Sequence, residues 1–337
     1  PGSSFKPFYY SAALEKGFTT ASVVNDAPVV VKDPALGAWR PGNYEGEFNG
    51  PTRLRNALTH SLNLVSIRVL QQIGIDYATD YLARFGFKPD ELPHNLTLAL
   101  GSASLTPLEM ARGYAVFANR GFRVTPYYIE RIEDGSGKLL FEADPGLACD
   151  EACKVDTTGA VKTLAPAAAA SPPVMPKFAS RVITPQNDWL MTSMMQDVIR
   201  QGTGRRALAL GRGDLAGKTG TTDDFTDAWF DGYNNDLVSV VWVGNDQPSQ
   251  SLGSGEQGAL AALPIWVDFM GRALKGVPDP SDPYPQPPGL VRARIDPNTG
   301  LLVSASDPDS IWEYFEAGHL PAKAPDKKKQ TNGADLF

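Results

Sequence analysis

Ser3 and Lys6 stand three positions apart near the start of the chain, in the run Pro1-Gly2-Ser3-Ser4-Phe5-Lys6-Pro7. On a helix that spacing puts both side chains on one face about one turn apart, so the amine can reach the hydroxyl and take its proton. Ser3 is then an activated nucleophile, provided Lys6 spends part of its time uncharged. A free lysine keeps its proton up to a pH of about 10.4, so burial and a neighbouring cation such as Lys218 have to disfavour the charge. A helix N-terminus adds unpaired N–H groups and positive potential, which favour a developing oxyanion. Taken alone, S-x-x-K also describes an ordinary exposed helix turn, and one is expected on the order of once by chance in a chain this long.

Two further signals bear on the same chemistry. Ser61-Leu62-Asn63 lies in a mostly apolar helical pattern, where each polar side chain needs a partner if it is buried. In the functional reading Ser61 passes a proton between Lys6, Lys218 and a leaving amine, and Asn63 holds a substrate carbonyl. In the plainer reading Ser61 bonds back to its own helix and Asn63 is exposed. Lys218-Thr219-Gly220-Thr221, preceded by Gly217, reads as a strand whose glycines admit the close approach of a ligand. Threonine hydroxyls beside a lysine suit a terminal carboxylate, and an extended peptide can pair with such a strand. An ordinary Gly-kinked strand has the same composition. The distinguishing feature is that each pattern occurs once, in the order S-x-x-K, S-x-N, K-T-G.

These groups need a scaffold to bring them together. Phe5, Phe8, Tyr9, Ala12 and Ala13 recur at helical spacing, so Ser3 sits at a helix entrance. From Thr52 to Gly74, Leu54, Leu58, Ser61, Val65 and Val69 form one stripe beside Leu64, Ile67, Leu70 and Ile73, which predicts a buried helix or helix pair. Leu96 to Leu100 reads as a short buried strand or extended segment. Thr106-Pro107-Leu108-Glu109 supplies a cap, a first-turn proline and a capping-box glutamate for a helix to about Asn119. Tyr127 to Glu133 and Lys138 to Glu142 read as a hairpin. A helix follows Thr184-Pro185 as far as Gln201, and Gly202-Thr203-Gly204 stops it; this G-x-G follows a helix, so a dinucleotide site fails on context. Leu215 to Thr222, Asp227 to Tyr233 and Leu237 to Gly244 read as an antiparallel meander, and Ala259 to Leu274 as a helix.

Composition narrows the function classes. The 337 residues are 42% hydrophobic and 20% charged, enough apolar material for a substantial core. A net charge of −7 with no basic stripe argues against nucleic acid as a partner. His60, His94 and His319 are scattered, and Cys149 and Cys153 have no histidine nearby in sequence, so neither a metal nor a cofactor is expected. No apolar run approaches the roughly 20 residues that cross a bilayer, so any membrane anchor is expected outside this chain.

At these residues the chain resembles the transpeptidase domain of the class A, bifunctional penicillin-binding proteins, whose motifs run in the order found here. The run Leu98 to Ala111, the stretch Gly202 to Ala207 and Asp227-Ala-Trp-Phe-Asp-Gly-Tyr233 are similar to that family as well, and the likeness extends over about residues 1–315. The resemblance implies an α+β fold of the serine β-lactamase/D,D-peptidase type: an antiparallel sheet flanked by helices, with an all-helical subregion. It implies Ser3 as the acylated nucleophile, Lys6 as base, Ser61 and Asn63 as the second motif, and Lys218, Thr219, Gly220 and Thr221 as the third. The backbone N–H groups of Ser3 and Thr221 would form the oxyanion hole. The implied partners are peptidoglycan stem peptides, one giving its D-Ala-D-Ala end and another an acceptor amine, with β-lactam antibiotics as mimics of that end.

The same likeness sets out a domain plan. Residues 1–320 are expected as the transpeptidase domain, 143–180 as a surface insertion rich in Ala and Pro, and 321–337 as a flexible tail. The family carries sheet strands, a glycosyltransferase domain and a membrane helix ahead of the nucleophile helix, so the chain reads as part of a longer polypeptide at the outer face of the inner membrane. In that oxidising setting Cys149 and Cys153 can close a disulfide or remain free thiols. Two rivals stay open, besides a carboxypeptidase activity in which water replaces the acceptor amine at the same residues. A β-lactamase needs a second base, for which Glu91 and Asn95 have a suitable spacing, although Leu62 stands where that group carries Asp. A sensor or scaffold would keep the motifs without turnover.

Overall fold

Lys6–Glu15 forms the first helix, α1, and Lys6 through Leu14 are all buried. A helix enclosed on every side belongs in the middle of a fold, and α1 packs against three later helices. In the computed structural model, which describes residues 1–33, 37–149, 177–247 and 250–325, a tight 3-10 turn at Gly2–Phe5 leads into α1 and carries Ser3. Phe8 fixes the helix by edge contacts with Phe5, Phe85, Phe87 and Tyr114.

Strands β1 (Val23–Asp26), β2 (Val31–Asp33), β3 (Gly37–Trp39) and β4 (Gly50–Arg53) follow, with β1 paired to β4 and β2 to β3, both antiparallel. The pattern from 52 to 74 resolves into the end of β4 and two helices, α2 (Leu54–Thr59) and α3 (Asn63–Ile73). The break between them falls at Ser61, whose φ of 59° lies in the left-handed region. Helix α4 spans Ile75–Leu82. The 96–100 segment, read from its apolar run as a strand or extended segment, is a 3-10 turn capped by the Asn95 side chain and closed by Gly101 at φ 72°. A short apolar run has no period long enough to tell the two apart.

Helix α5 (Pro107–Ala118) starts at the expected capping box: Thr106 Oγ1 accepts from Glu109 N at 3.2 Å, and Glu109 Oε2 accepts from Thr106 N at 2.8 Å. Beyond it β5 (Phe122–Arg123) pairs with β8 (Ser180–Arg181), and the hairpin forms between β6 (Arg131–Glu133) and β7 (Leu139–Glu142). Most of the 143–180 insertion, residues 150–176, lies outside the described residues. Cys149 is disulfide-bonded, and the only other cysteine of the chain, Cys153, lies outside them too.

Helix α6 (Pro185–Arg200) crosses α1 and α2. The meander then forms as read: β9 (Ala216–Thr221), β10 (Asp227–Tyr233) and β11 (Val238–Gly244), antiparallel with β10 in the centre and Lys218 opposite Asp231. Helix α7 (Leu263–Ala273) covers one face of this sheet with Leu263, Trp266 and Met270, while α5 and α6 lie on the other side. A last ribbon, β12 (Leu290–Ile295) and β13 (Ile311–Glu316), has no counterpart in the sequence reading. It is tied to α2 through the buried Glu313, which accepts from Arg55 Nε and Nη2 at 2.8 Å each. The expected tail from 321 needs correcting: Leu302 N donates to Ala322 O and Ala324 N to Leu302 O, so the chain is pinned through 324. Residues 326–337 lie outside the described residues.

Candidate active site

Three segments meet at the start of α1. The 3-10 turn brings Ser3, the corner between α2 and α3 brings Ser61 and Asn63, and β9 brings Lys218 to Thr221. Backbone contact holds the turn on the strand. A Cβ on Gly220 would lie 2.1 Å from Pro1 O, and one on Gly2 would lie 2.6 Å from Thr221 O, so neither position has room for a side chain. Gly2, at φ 58°, also needs the backbone freedom of glycine. Its N–H donates to Gly101 O at 3.1 Å, which ties the turn to the 3-10 segment ahead of α5.

The charged groups converge on Ser61. Lys6 Nζ lies 2.8 Å from Ser61 O, 2.8 Å from Asn63 Oδ1 and 3.3 Å from Ser61 Oγ. Lys218 Nζ lies 2.9 Å from the same Oγ and 3.0 Å from Thr219 O. Both lysines are fully buried. Burial, followed by repulsion from Lys218, holds the Lys6 amine well below the ordinary lysine range. Burial lowers Lys218 to about 7, against an opposing pull from Asp231. A neutral Lys6 has two N–H groups for its two short contacts, which leaves a lone pair to receive a proton. Asp231 is itself pushed up to about 7 by burial. The neighbouring Ser4 hydroxyl works against that shift, although its well-formed hydrogen bond goes to Pro1 O at 2.9 Å and both carboxyl oxygens of Asp231 are buried.

The Ser3 hydroxyl is half-buried and makes no hydrogen bond among the described residues. The amine that the spacing aimed at it is drawn instead to the second motif, whose carbonyl and amide oxygens are stronger acceptors. Such contacts often close only when a substrate arrives. Along β9, Thr219 Oγ1 meets Thr203 Oγ1 at 2.6 Å, and Thr221 Oγ1 accepts from Gly258 N at 3.1 Å. Among the described residues β9 is an edge strand, paired only with β10, so its outer side can take an extended peptide.

Three supports of this site had no role assigned from the sequence: Thr203 and Asp231, which lie in stretches noted only as similar to the family, and Asn43. Asn43 lies in the loop before β4 and its side-chain oxygen accepts from the backbone N–H of Asn63 at 2.9 Å. None of them stands at a recognisable spacing from the motifs they serve. The candidate second base of a β-lactamase is occupied elsewhere: Glu91 pairs with Lys88 at 2.6 Å on the surface, and the Asn95 side chain caps the 3-10 turn.

Comparison with known proteins agrees with the geometry. Residues 1–263 match the family described as "Penicillin binding protein transpeptidase domain". Penicillin-binding protein 1A of Pseudomonas aeruginosa is 49% identical over 340 residues, covering 95% of this chain and 41% of the relative. That of Vibrio cholerae is 44% identical, covering 96% and 41%. The chain therefore spans about two fifths of the length of the curated relatives it matches. Among solved structures, penicillin-binding protein 1A from Haemophilus influenzae superposes with a TM-score of 0.84 at 39% identity, over 96% of this chain and 48% of the other. PonA1 of Mycobacterium tuberculosis in complex with penicillin V gives 0.65 at 26% identity, over 85% and 71%.

Proposed function

The chain belongs to the penicillin-binding protein transpeptidase family, and from that premise we propose that it cross-links peptidoglycan stem peptides through an acyl-enzyme on Ser3. Residues 1–320 act as the transpeptidase domain in this reading. Ser3 Oγ attacks the amide carbonyl between the two D-Ala residues of a donor stem, and its proton passes to Lys6. The backbone N–H groups of Ser3 and Thr221 receive the oxyanion. The C–N bond then breaks, and the departing amine of D-Ala takes a proton by way of Ser61 and the two lysines. An amine of a neighbouring stem attacks the ester, the new amide forms and Ser3 recovers its proton. Lys218 and the hydroxyls of Thr219 and Thr221 hold the terminal carboxylate, Gly220 gives the peptide backbone access, and the Asn63 amide holds a donor carbonyl.

The observation that carries this reading is the meeting of Lys6, Ser61, Asn63 and Lys218 in one hydrogen-bonded cluster beside the Ser3 turn. A β-lactam resembles the D-Ala-D-Ala end, so its ring amide opens on the same hydroxyl and leaves a stable ester. The disulfide at Cys149 fits an oxidising, extracytoplasmic compartment. No helix among the described residues is long and apolar enough to cross a membrane. The test is a mass spectrum of the protein after β-lactam treatment. The adduct is expected on Ser3, absent from Ser3→Ala and stable for many minutes; an adduct elsewhere, or none, overturns the reading.

A further inference from the structure

The Asn63 amide has two ends of similar shape, and the site works only if the right end faces Lys6. Its Oδ1 accepts from Lys6 Nζ at 2.8 Å, while its Nδ2 donates to Gly42 O at 3.0 Å. A half-turn of the amide would set Oδ1 against the Gly42 carbonyl, a mismatch, and turn Nδ2 onto Lys6, where it would take up the lone pair that has to receive the proton.

The same polarity is enforced one layer further out. Asn63 and Leu64 open α3 with unpaired N–H groups, and the cap position is Leu62, which has no polar side chain. Asn43 Oδ1 fills that role from another segment, accepting from Asn63 N at 2.9 Å and Leu64 N at 3.2 Å. Its Nδ2 donates to Asp26 Oδ1 at 2.8 Å and Oδ2 at 2.9 Å, and also reaches Glu47 O at 2.9 Å. Asp26, on β1, is fully buried and accepts from Asn49 N and Nδ2 as well. No lysine or arginine pairs with it among the described residues. A buried carboxylate that only accepts hydrogen bonds admits one orientation of a neighbouring amide, so Asn43 has to turn its oxygen toward α3.

Resting on the transpeptidase reading, we infer that Asp26 and Asn43 are positioning residues: the buried carboxylate orients Asn43, and Asn43 with Gly42 fixes the end of Asn63 that meets Lys6. The test exchanges the two groups in the full chain. Asp26→Asn removes the dictating charge, and Asn43→Asp sets one carboxylate against another. In the double variant an Asn amide at 26 donates to a carboxylate at 43, which still accepts from both N–H groups of α3 and gives up only the exposed contact to Glu47 O. Each single change is expected to lower the rate constant of Ser3 acylation by a fluorescent penicillin about 10- to 100-fold, measured on protein whose folded fraction is known from its melting curve. The double variant is expected to return to within about threefold of wild type, a recovery that loss of packing alone does not produce. Single variants that acylate at the wild-type rate, or a double variant no better than either, overturn the inference. A wild-type chain that forms no Ser3 ester overturns the transpeptidase reading instead.

Discussion

Lys6 and Lys218 share one oxygen: the Ser61 hydroxyl lies 3.3 Å from the first amine and 2.9 Å from the second. Two buried ammonium groups on one hydroxyl would repel each other in a site with little water. The cluster is therefore built to hold fewer protons than two free lysines, and a hydroxyl between two amines can hand a proton either way. Ser61 occupies this position at a φ of 59°, which a residue other than glycine adopts only under strain.

Ser61→Gly separates the two properties of that residue. Glycine accepts the left-handed backbone without penalty, so the melting temperature should not fall. The bridge between the lysines is lost, so acylation by a β-lactam should slow by about 10²- to 10⁴-fold. Stopped-flow labelling beside a thermal melt checks both, and a variant that labels at the wild-type rate removes Ser61 from the proton path.

Burial of Lys218 should appear in stability as a function of pH. Its ordinary value is 10.5 and in the fold it is about 7. Below about 7 both folded and unfolded chains carry the proton and the fold bears the full penalty of a buried charge. Between the two values the unfolded chain alone keeps the proton, so stability rises with pH until it levels off near 10.5. Lys218→Met lacks this term. It should be more stable than wild type at neutral pH by roughly 1–3 kcal/mol, with the gap closing as pH rises, while acylation is lost. Denaturant melts at a series of pH values decide the sign.

The motifs were legible because each is a local rule. S-x-x-K needs one helical turn, K-T-G one strand, and both survive whatever the rest of the chain does. The capping box at Thr106 and the meander around Asp227 to Tyr233 were legible for the same reason: caps and alternation act within a few residues. Asn43 was not, since a loop asparagine that caps a helix 20 residues later leaves no spacing to read. Between Leu54 and Ile73 the sequence left one helix or a pair open, because the stripe carries on through Ser61; the left-handed backbone at that corner is what separates α2 from α3. The β12–β13 ribbon escaped because its pairing is long-range and its residues alternate weakly.

Contact between the nucleophile turn and β9 is steric, so adding one methyl group should break it. Gly220→Ala would place a Cβ 2.1 Å from Pro1 O and 3.0 Å from Ser4 Oγ. Backbone cannot move aside as a flexible side chain can, so the strand has to shift away from Ser3. A loss of about 1–3 kcal/mol and a fall in acylation larger than that instability explains are expected. Normal labelling by folded Gly220→Ala would show that the turn and strand need not touch.

A change far from the cleft provides the contrast. Glu313, with a side chain 3% exposed, pairs with Arg55 at 2.8 Å and Arg53 at 3.4 Å, and Arg55 reaches on to Asp197 of α6 at 2.9 Å. Burial draws the Arg53 guanidinium below its ordinary range, and Glu313 works against that. Glu313→Ala leaves two arginines enclosed with one carboxylate between them, for which a loss of roughly 3–5 kcal/mol is expected. The four groups join the C-terminal ribbon to α2 and α6 and touch neither Ser3 nor the lysines. Acylation per folded molecule should therefore stay within about twofold of wild type, a difference of under ~0.5 kcal/mol in the barrier, even as the denaturation midpoint drops. If labelling of the folded fraction fell along with the midpoint, the ribbon would have to be part of the site rather than its foundation.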